Sequence, residues 1–374
     1  MKRALSLFLV LLLCTCLMAS CGSGTSNPSS TSPPLEASPA DLSTPSSEEN
    51  EPVAKPSALT PVNIGYMPIP GNALFMIAEE KGFFEEEGLD VELLMFKASG
   101  EGVPALADGK LDTGCFGTTA IMSRIAQGDN ITIYGGQMSE GSGIVTLPEN
   151  QEFLSDFANY KGKKLGVVRM TTGDVLFRYA LIQAGLTIGE DVEVIELDSP
   201  ATLIEAIKKG EIDAGGVWIP HLANAEANGL AVAVFSGDVL RTHPCARMVA
   251  MTDRMKQDPE LFIKIQKACI KAYEVYQNNQ DESVDLMLKY IDLDRDVLAK
   301  EAYRNFSTSP SPNANGNIEF WTEMKAIGYI DSELDIKNFI DVDTYRTALE
   351  QVMAENPDVA FYKELQNSSV QAEQ

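Results

Sequence analysis

From Pro61 onward, short continuous apolar runs alternate with stretches of helical period, and few folds accommodate that text. Strands are predicted at residues 62–67, 91–96, 112–116 and 131–134, with helices at 73–87, 103–109 and 118–127 between them. Strands without a polar face must be covered on both sides. Strands spaced by single helices form βαβ units, so the pattern predicts a parallel sheet clothed by helices. The pattern then starts again. Strands at 164–168, 192–197, 214–218 and 231–235 alternate with helices at 174–183, 201–209 and 221–228.

One corner recurs between the halves. Gly109-Lys110-Leu111-Asp112 and Gly210-Glu211-Ile212-Asp213 each close a helix with Gly, step through an aliphatic residue and reach Asp before a small residue and Gly. Gly takes the left-handed backbone that ends a helix, so these read as equivalent corners of two similar lobes. Two segments break the alternation, the Gly- and Ser-rich stretch 138–146 and residues 242–247. Each reads as a crossover between lobes. After Asp253 the text is mainly helical, at 260–277, 281–290, 295–303, 318–326 and 342–354.

The amino-terminal end is of another kind. Lys2 and Arg3 precede an apolar run from Ala4 to Leu13, too short to span a bilayer, and residues 1–20 read as a secretory signal peptide. The ending Ala19-Ser20-Cys21 resembles a bacterial lipobox, although Met18 stands where Leu is commoner. That resemblance implies a lipidated Cys21 and a chain held outside the cell membrane of a bacterium by more than one acyl chain. Residues 21–60 are rich in Ser, Pro, Thr and Glu and have no period, so a disordered tether is expected, reaching about 30–40 Å as a flexible coil. The expected division is then lobe 1 at 61–141 and 247–374, with the carboxyl-terminal helices, and lobe 2 at 142–246.

Composition narrows the chemistry. A formal charge of −25 speaks against nucleic acid as a partner. The two histidines, His221 and His243, are too few for a zinc site or a Ser/His or Cys/His pair, so neither metal nor cofactor is expected. Cys14 and Cys16 leave with the signal peptide. Cys115, Cys245 and Cys269 remain, without metal spacing, and read as buried thiols.

The lipobox, the tether, the twin lobes and the two crossovers together resemble the type II periplasmic-binding-protein architecture, two Rossmann-like lobes joined by two hinge strands. More narrowly, the opening Ile64-Gly65-Tyr66, then Lys81-Gly82-Phe83-Phe84 and Gly88-Leu89-Asp90-Val91, is similar to that of the nitrate/sulfonate/taurine-type binding proteins of ABC importers, a group that includes binders of thiamine pyrimidine precursors. Gly135-Gly136-Gln137-Met138, Leu165-Gly166-Val167 and His243-Pro244-Cys245-Ala246-Arg247 add to the likeness, which runs from about 62 to 304. It implies a monomeric, non-enzymatic solute-binding component that closes on a small anion and delivers it to ABC permease subunits. Closure on a flat heterocycle of the thiamine-pyrimidine class is the alternative, and an enzyme acting on such a compound the more distant rival.

Ligands of open parallel sheets bind beyond the carboxyl ends of the strands. That rule selects Pro70, Gly71, Asn72, Lys97, Ser99, Gly117, Thr118 and Thr119 in lobe 1. In lobe 2 it selects Arg169, Thr171, Thr172 and Trp218. The Thr pairs stand at helix starts, where free N–H groups and hydroxyls suit an anion, although Thr also caps helices for its own sake. Lys97 and Arg169, one per lobe, would clamp an anion between them or else lie on the rim in exposed ion pairs. Trp218, Tyr66 and Phe116 would suit a heterocycle.

Overall fold

The computed structural model describes residues 59–241 and 243–372; the signal peptide, Cys21 and all but the end of the tether lie outside them. Eleven strands form two sheets: β1 (Thr60–Tyr66), β2 (Leu89–Met95), β3 (Thr113–Gly117), β4 (Ile131–Glu140), β5 (Ser142–Thr146), β6 (Lys164–Val168), β7 (Glu193–Leu197), β8 (Ala214–Trp218), β9 (Ala231–Phe235), β10 (Pro244–Met251) and β11 (Phe306–Thr308). Their orders are β11-β4-β10-β3-β1-β2 and β7-β6-β8-β5-β9. Without the edge strand β11, the two sheets are copies of one plan. Each has three parallel strands in the order second, first, third, and then one antiparallel strand that has just arrived from the other sheet (β10 or β5). The fold is therefore the two-lobed α/β architecture expected from the alternation.

The repeated corner shows how close the copies are. Gly109 and Gly210 have φ +72° and +71°. Asp112 Oδ2 accepts from Asn63 N at 3.0 Å, and Asp213 Oδ2 accepts from Lys164 N at 2.8 Å. In both lobes the Asp amide donates back to the carbonyl of the same residue at 2.9 Å. Each carboxylate thus ties the entry of the third strand to the first, in the same way twice.

Three differences from the sequence expectation bear on the site. The helix expected at 73–87 is two helices, Ala73–Glu80 and Phe83–Glu86, because Gly82 turns left-handed at φ +72° between them. The strand expected to stop at 134 runs on to Glu140, through Gly135 and Gly136. A Cβ on Gly135 would lie 2.1 Å from Gln266 Nε2 and one on Gly136 2.2 Å from the Ser311 carbonyl, so the glycines mark close packing there and no break. The chain also returns to the first sheet earlier than expected, since Pro244 and Ala246 already pair with Ser139 and Met138.

The outward crossover is abrupt: β4 ends at Glu140, Gly141 takes φ +81°, and β5 begins at Ser142 in the other sheet. The return passes from β9 through the short helix Ser236–Val239 to β10. On the first lobe, the helix Pro259–Asn278 packs on Ala73–Glu80 and on Asp343–Glu355, burying Phe262, Ile265, Cys269 and Tyr276. Cys115 and Cys269 are buried free thiols, as expected; Cys245 is partly exposed because it sits at the crossover edge of β10. Among the described residues no helix is long and apolar enough to cross a membrane.

Candidate functional site

The carboxyl ends of β1 and β3 bring the first-lobe candidates together. Pro70, Gly71 and Asn72 are buried, Asn72 Oδ1 accepts from Met67 N at 3.0 Å, and a Cβ on Gly71 would lie 2.3 Å from Met138 Sδ. Ser99 Oγ accepts from Gly117 N at 2.8 Å, which fixes the strand-to-helix turn before Thr118. The helix Thr118–Ala126 has Gly117 at its N-cap and no side-chain cap, so neither threonine hydroxyl is engaged in capping. Thr118 and Thr119 are wholly buried, and their Oγ1 atoms have no hydrogen-bond partner among the described residues. A buried hydroxyl without a partner costs about 1–3 kcal/mol, so two together at a helix start ask for a guest with acceptors.

The second lobe presents its leading helix, Thr172–Gln183, against the same point. The two threonines there divide the roles that the sequence left open. Thr171 caps the helix, with Oγ1 accepting from Asp174 N at 3.3 Å and donating to Val168 O at 2.8 Å. Thr172 instead reaches across to the Cys245 carbonyl, a long contact of 3.4 Å. Ser142 and Ser236 are buried alongside: Ser142 N donates to Ser236 Oγ at 3.1 Å, and a Cβ on Gly173 would lie 3.3 Å from Ser142. Trp218 pairs with Ser142 across the sheet, meets His221 edge-on at 5.1 Å and is half-buried.

The paired-cation clamp is not assembled. Lys97 is exposed, and Arg169 is 70% exposed, with its nearest carboxylate, Glu196, at 3.9 Å. Both follow strand ends, but their side chains point outward; Arg169 lines a surface groove of about 240 Å³ with Ser123, Gln127 and Tyr329. Tyr66 and Phe116 belong to the core, against Tyr290 and Phe96, so of the three aromatic candidates only Trp218 keeps an accessible face.

The cation buried at these strand ends is Arg247, the last residue of the His243–Arg247 crossover motif, within the apolar run of β10. It stands next to Ala246, the partner of Gly117 in the sheet. Its guanidinium donates to the Met138 carbonyl at 2.7 Å, the Ala246 carbonyl at 2.8 Å and Ser139 Oγ at 2.8 Å, all neutral acceptors. Nε has no partner, and no carboxylate pairs with it among the described residues. Burial therefore pushes its pKa down, to about 10, with the neighbouring Cys115 and Cys245 thiols opposing. Gln137 Nε2 and Asn72 Nδ2 are further buried donors without partners. The unmet capacity around the strand ends is thus rich in donors and carries one positive charge. Among the described residues no group of three or more His, Cys, Asp or Glu could hold a metal ion.

The chain matches the NMT1-like family over residues 55–290. A binding protein of Brucella abortus is 29% identical over 299 residues, which cover 76% of this chain and 91% of that protein. Among solved structures, the periplasmic aliphatic sulphonate binding protein SsuA from Escherichia coli superposes with TM-score 0.66 at 19% identity, covering 77% of this chain and 99% of that one. The periplasmic nitrate-binding protein NrtA from Synechocystis PCC 6803 gives TM-score 0.66 at 19% identity, with 78% and 89% covered. At these identities the likeness is one of fold.

Proposed function

Since the chain belongs to the NMT1-like family, we propose that it is the extracytoplasmic solute-binding component of an ABC importer and that it closes on a small anion of the sulfonate, taurine or nitrate class. The observation that carries the reading is the buried donor set at the meeting of the lobes. It comprises Thr118 and Thr119 at one helix start, Thr172 at the facing one, and Arg247 with its charge unmatched by any carboxylate among the described residues. An oxyanion offers acceptors and the opposite charge together. The nitrate- and sulphonate-binding names of the structural relatives agree with that chemistry.

Binding works here by closure. The crossovers at Gly141 and at the short helix Ser236–Val239 act as hinges, and the anion favours the closed form to the extent that it touches both lobes only there. The closed form then docks on permease subunits. Lipidation of Cys21 would hold the chain at the outer face of the bacterial membrane and belongs to the same proposal. The heterocycle reading loses two of its three aromatics to the core. Catalysis by a thiol is disfavoured, because burial pushes the Cys245 thiol up to about 11 and holds the Cys115 thiol still higher.

The test is a stability screen of the chain against ethanesulfonate, taurine, nitrate, bicarbonate and a hydroxymethylpyrimidine. One of the anions should add about 3 kcal/mol at a hundredfold excess over its dissociation constant. Arg247→Met should weaken that anion about a hundredfold, the usual effect of removing one side of a buried charge pair. Stabilisation by the pyrimidine alone, or by nothing, overturns the proposal.

A further inference from the structure

Tyr329 stands just past the helix Ala314–Ala326, where Gly328 at φ +68° ends the helix and Tyr329 N bonds back to Met324 O at 2.8 Å. Its backbone is therefore held by the first lobe, but its hydroxyl is not. Tyr329 Oη accepts from Met170 N at 2.9 Å and donates to Asp174 Oδ2 at 3.0 Å, both in the second lobe. Asp174 is itself fixed: it is 1% exposed, and its other oxygen accepts from Arg178 Nε at 2.6 Å. Met170 takes φ +66°, a conformation that strains a non-glycine residue, and in it the amide points at the tyrosine. Beside this pair, Val175 of the second lobe joins the cluster of Trp321 and Met324 in the first.

We propose that Tyr329 is a latch: a positioning residue that holds the lobes shut across the mouth of the site, and so prolongs capture, without touching the solute. This rests on the hinge reading given above. The hydroxyl bridges two groups of the second lobe from a base in the first, so opening must break both bonds at once. None of the residues selected at the strand ends bonds the hydroxyl itself, so the latch acts on closure rather than on the solute.

The test is amide hydrogen exchange of the full chain without any added solute, comparing Tyr329→Phe and Asp174→Asn with the unaltered protein. The reporter is the segment 117–120, whose residues 118–120 are buried and none of which bonds the Tyr329 hydroxyl; the helix Pro259–Asn278 is the reference. Exchange of 117–120 should quicken about tenfold relative to the reference helix in both variants, with the unfolding midpoint kept in Tyr329→Phe and lowered in Asp174→Asn, which also gives up the buried pair with Arg178. If 117–120 exchanges faster than the reference helix in the unaltered protein but is unmoved by either variant, the lobes open and the latch is refuted. If 117–120 exchanges only together with the reference helix in the unaltered protein, there is no separate opening, and the hinge reading falls with the latch.

Discussion

Beside the crossovers, the lobes meet through an ion-pair network and a continuous apolar core; at the mouth of the site they meet through one tyrosine hydroxyl, one long threonine contact and the side chains of Val175 and Met170. On the crossover side, Arg304 stands two residues before Phe306, which pairs with Glu140 at the end of β4. Its guanidinium grips Glu226 of the second lobe through both nitrogens, at 2.8 and 2.7 Å, lies over the Phe235 ring at 5.4 Å, and also bonds the buried Glu301 at 3.0 Å. Leu222 and Ala225 from one lobe share a continuous core with Leu298 and Ala302 from the other. On the mouth side, the crossing contacts among the described residues are the Tyr329 hydroxyl, the long Thr172–Cys245 contact, and Val175 and Met170 against the first-lobe cluster. A contact beside a hinge survives rotation and adds to the stability of every form, whereas a contact at the mouth exists only when the lobes are shut. The same kind of cross-lobe bond therefore does two jobs, set by where it lies.

The largest effect should come from the crossover side. Arg304→Met would leave Glu301 fully buried and uncompensated, with Glu226 no longer held below the usual carboxylate range by the guanidinium. A loss of about 3 kcal/mol is expected in denaturant unfolding, equal with and without bound anion. A loss confined to the anion-bound protein would place Arg304 among the closure contacts and break the distinction. Next comes His243 in the return crossover. It is 1% exposed, with Nδ1 on the Leu240 carbonyl, and burial, aided by Arg247, lowers its pKa to about 4. Its folded value lies below the unfolded value near 6.5, so the fold is favoured above that pH and destabilised as pH falls from there toward 4. About 2 kcal/mol should disappear over that window and be spared in His243→Gln, as a pH series of unfolding midpoints would read. The smallest effect belongs to Gly141→Ala. The left-handed backbone disfavours Ala, and a Cβ there would lie 1.8 Å from Met138 Cε, at the end of a flexible side chain. About 1–2 kcal/mol is expected, with weaker anion binding because the outward crossover stiffens; unchanged affinity would move the hinge elsewhere.

What the sequence made legible follows from what each signal encodes. The strands were visible because burial on both faces forces continuous apolar runs, and the twin corner because a left-handed helix end needs Gly and the strand tie needs Asp. The far half of β4 was hidden, since Gly135 and Gly136 are small for the sake of Gln266 and Ser311, which lie far off in sequence. Among site residues, type and location in the chain were readable but direction was not. Lys97 and Arg169 follow strand ends as expected, and yet their side chains leave toward solvent. Thr118–Thr119 and Thr171–Thr172 look alike as text, and only the caps separate the hydroxyl that serves its helix, Thr171, from those that do not. Arg247 was in view as part of the His243–Arg247 crossover motif, but its burial without a carboxylate partner depends on Met138 and Ser139, more than 100 residues away. Tyr329 gave no signal, because a single aromatic after a helix has no period and its partners lie 155 and 159 residues away.

The most direct measurement is a crystal structure of the protein grown with ethanesulfonate at saturating concentration. The account predicts a sulfonate between the lobes, its oxygens within hydrogen-bond reach of Thr118, Thr119 and Thr172 and its charge facing Arg247. A sulfonate bound only on the outer surface by Lys97 or Arg169, or an interlobe space still empty at saturation, would contradict it.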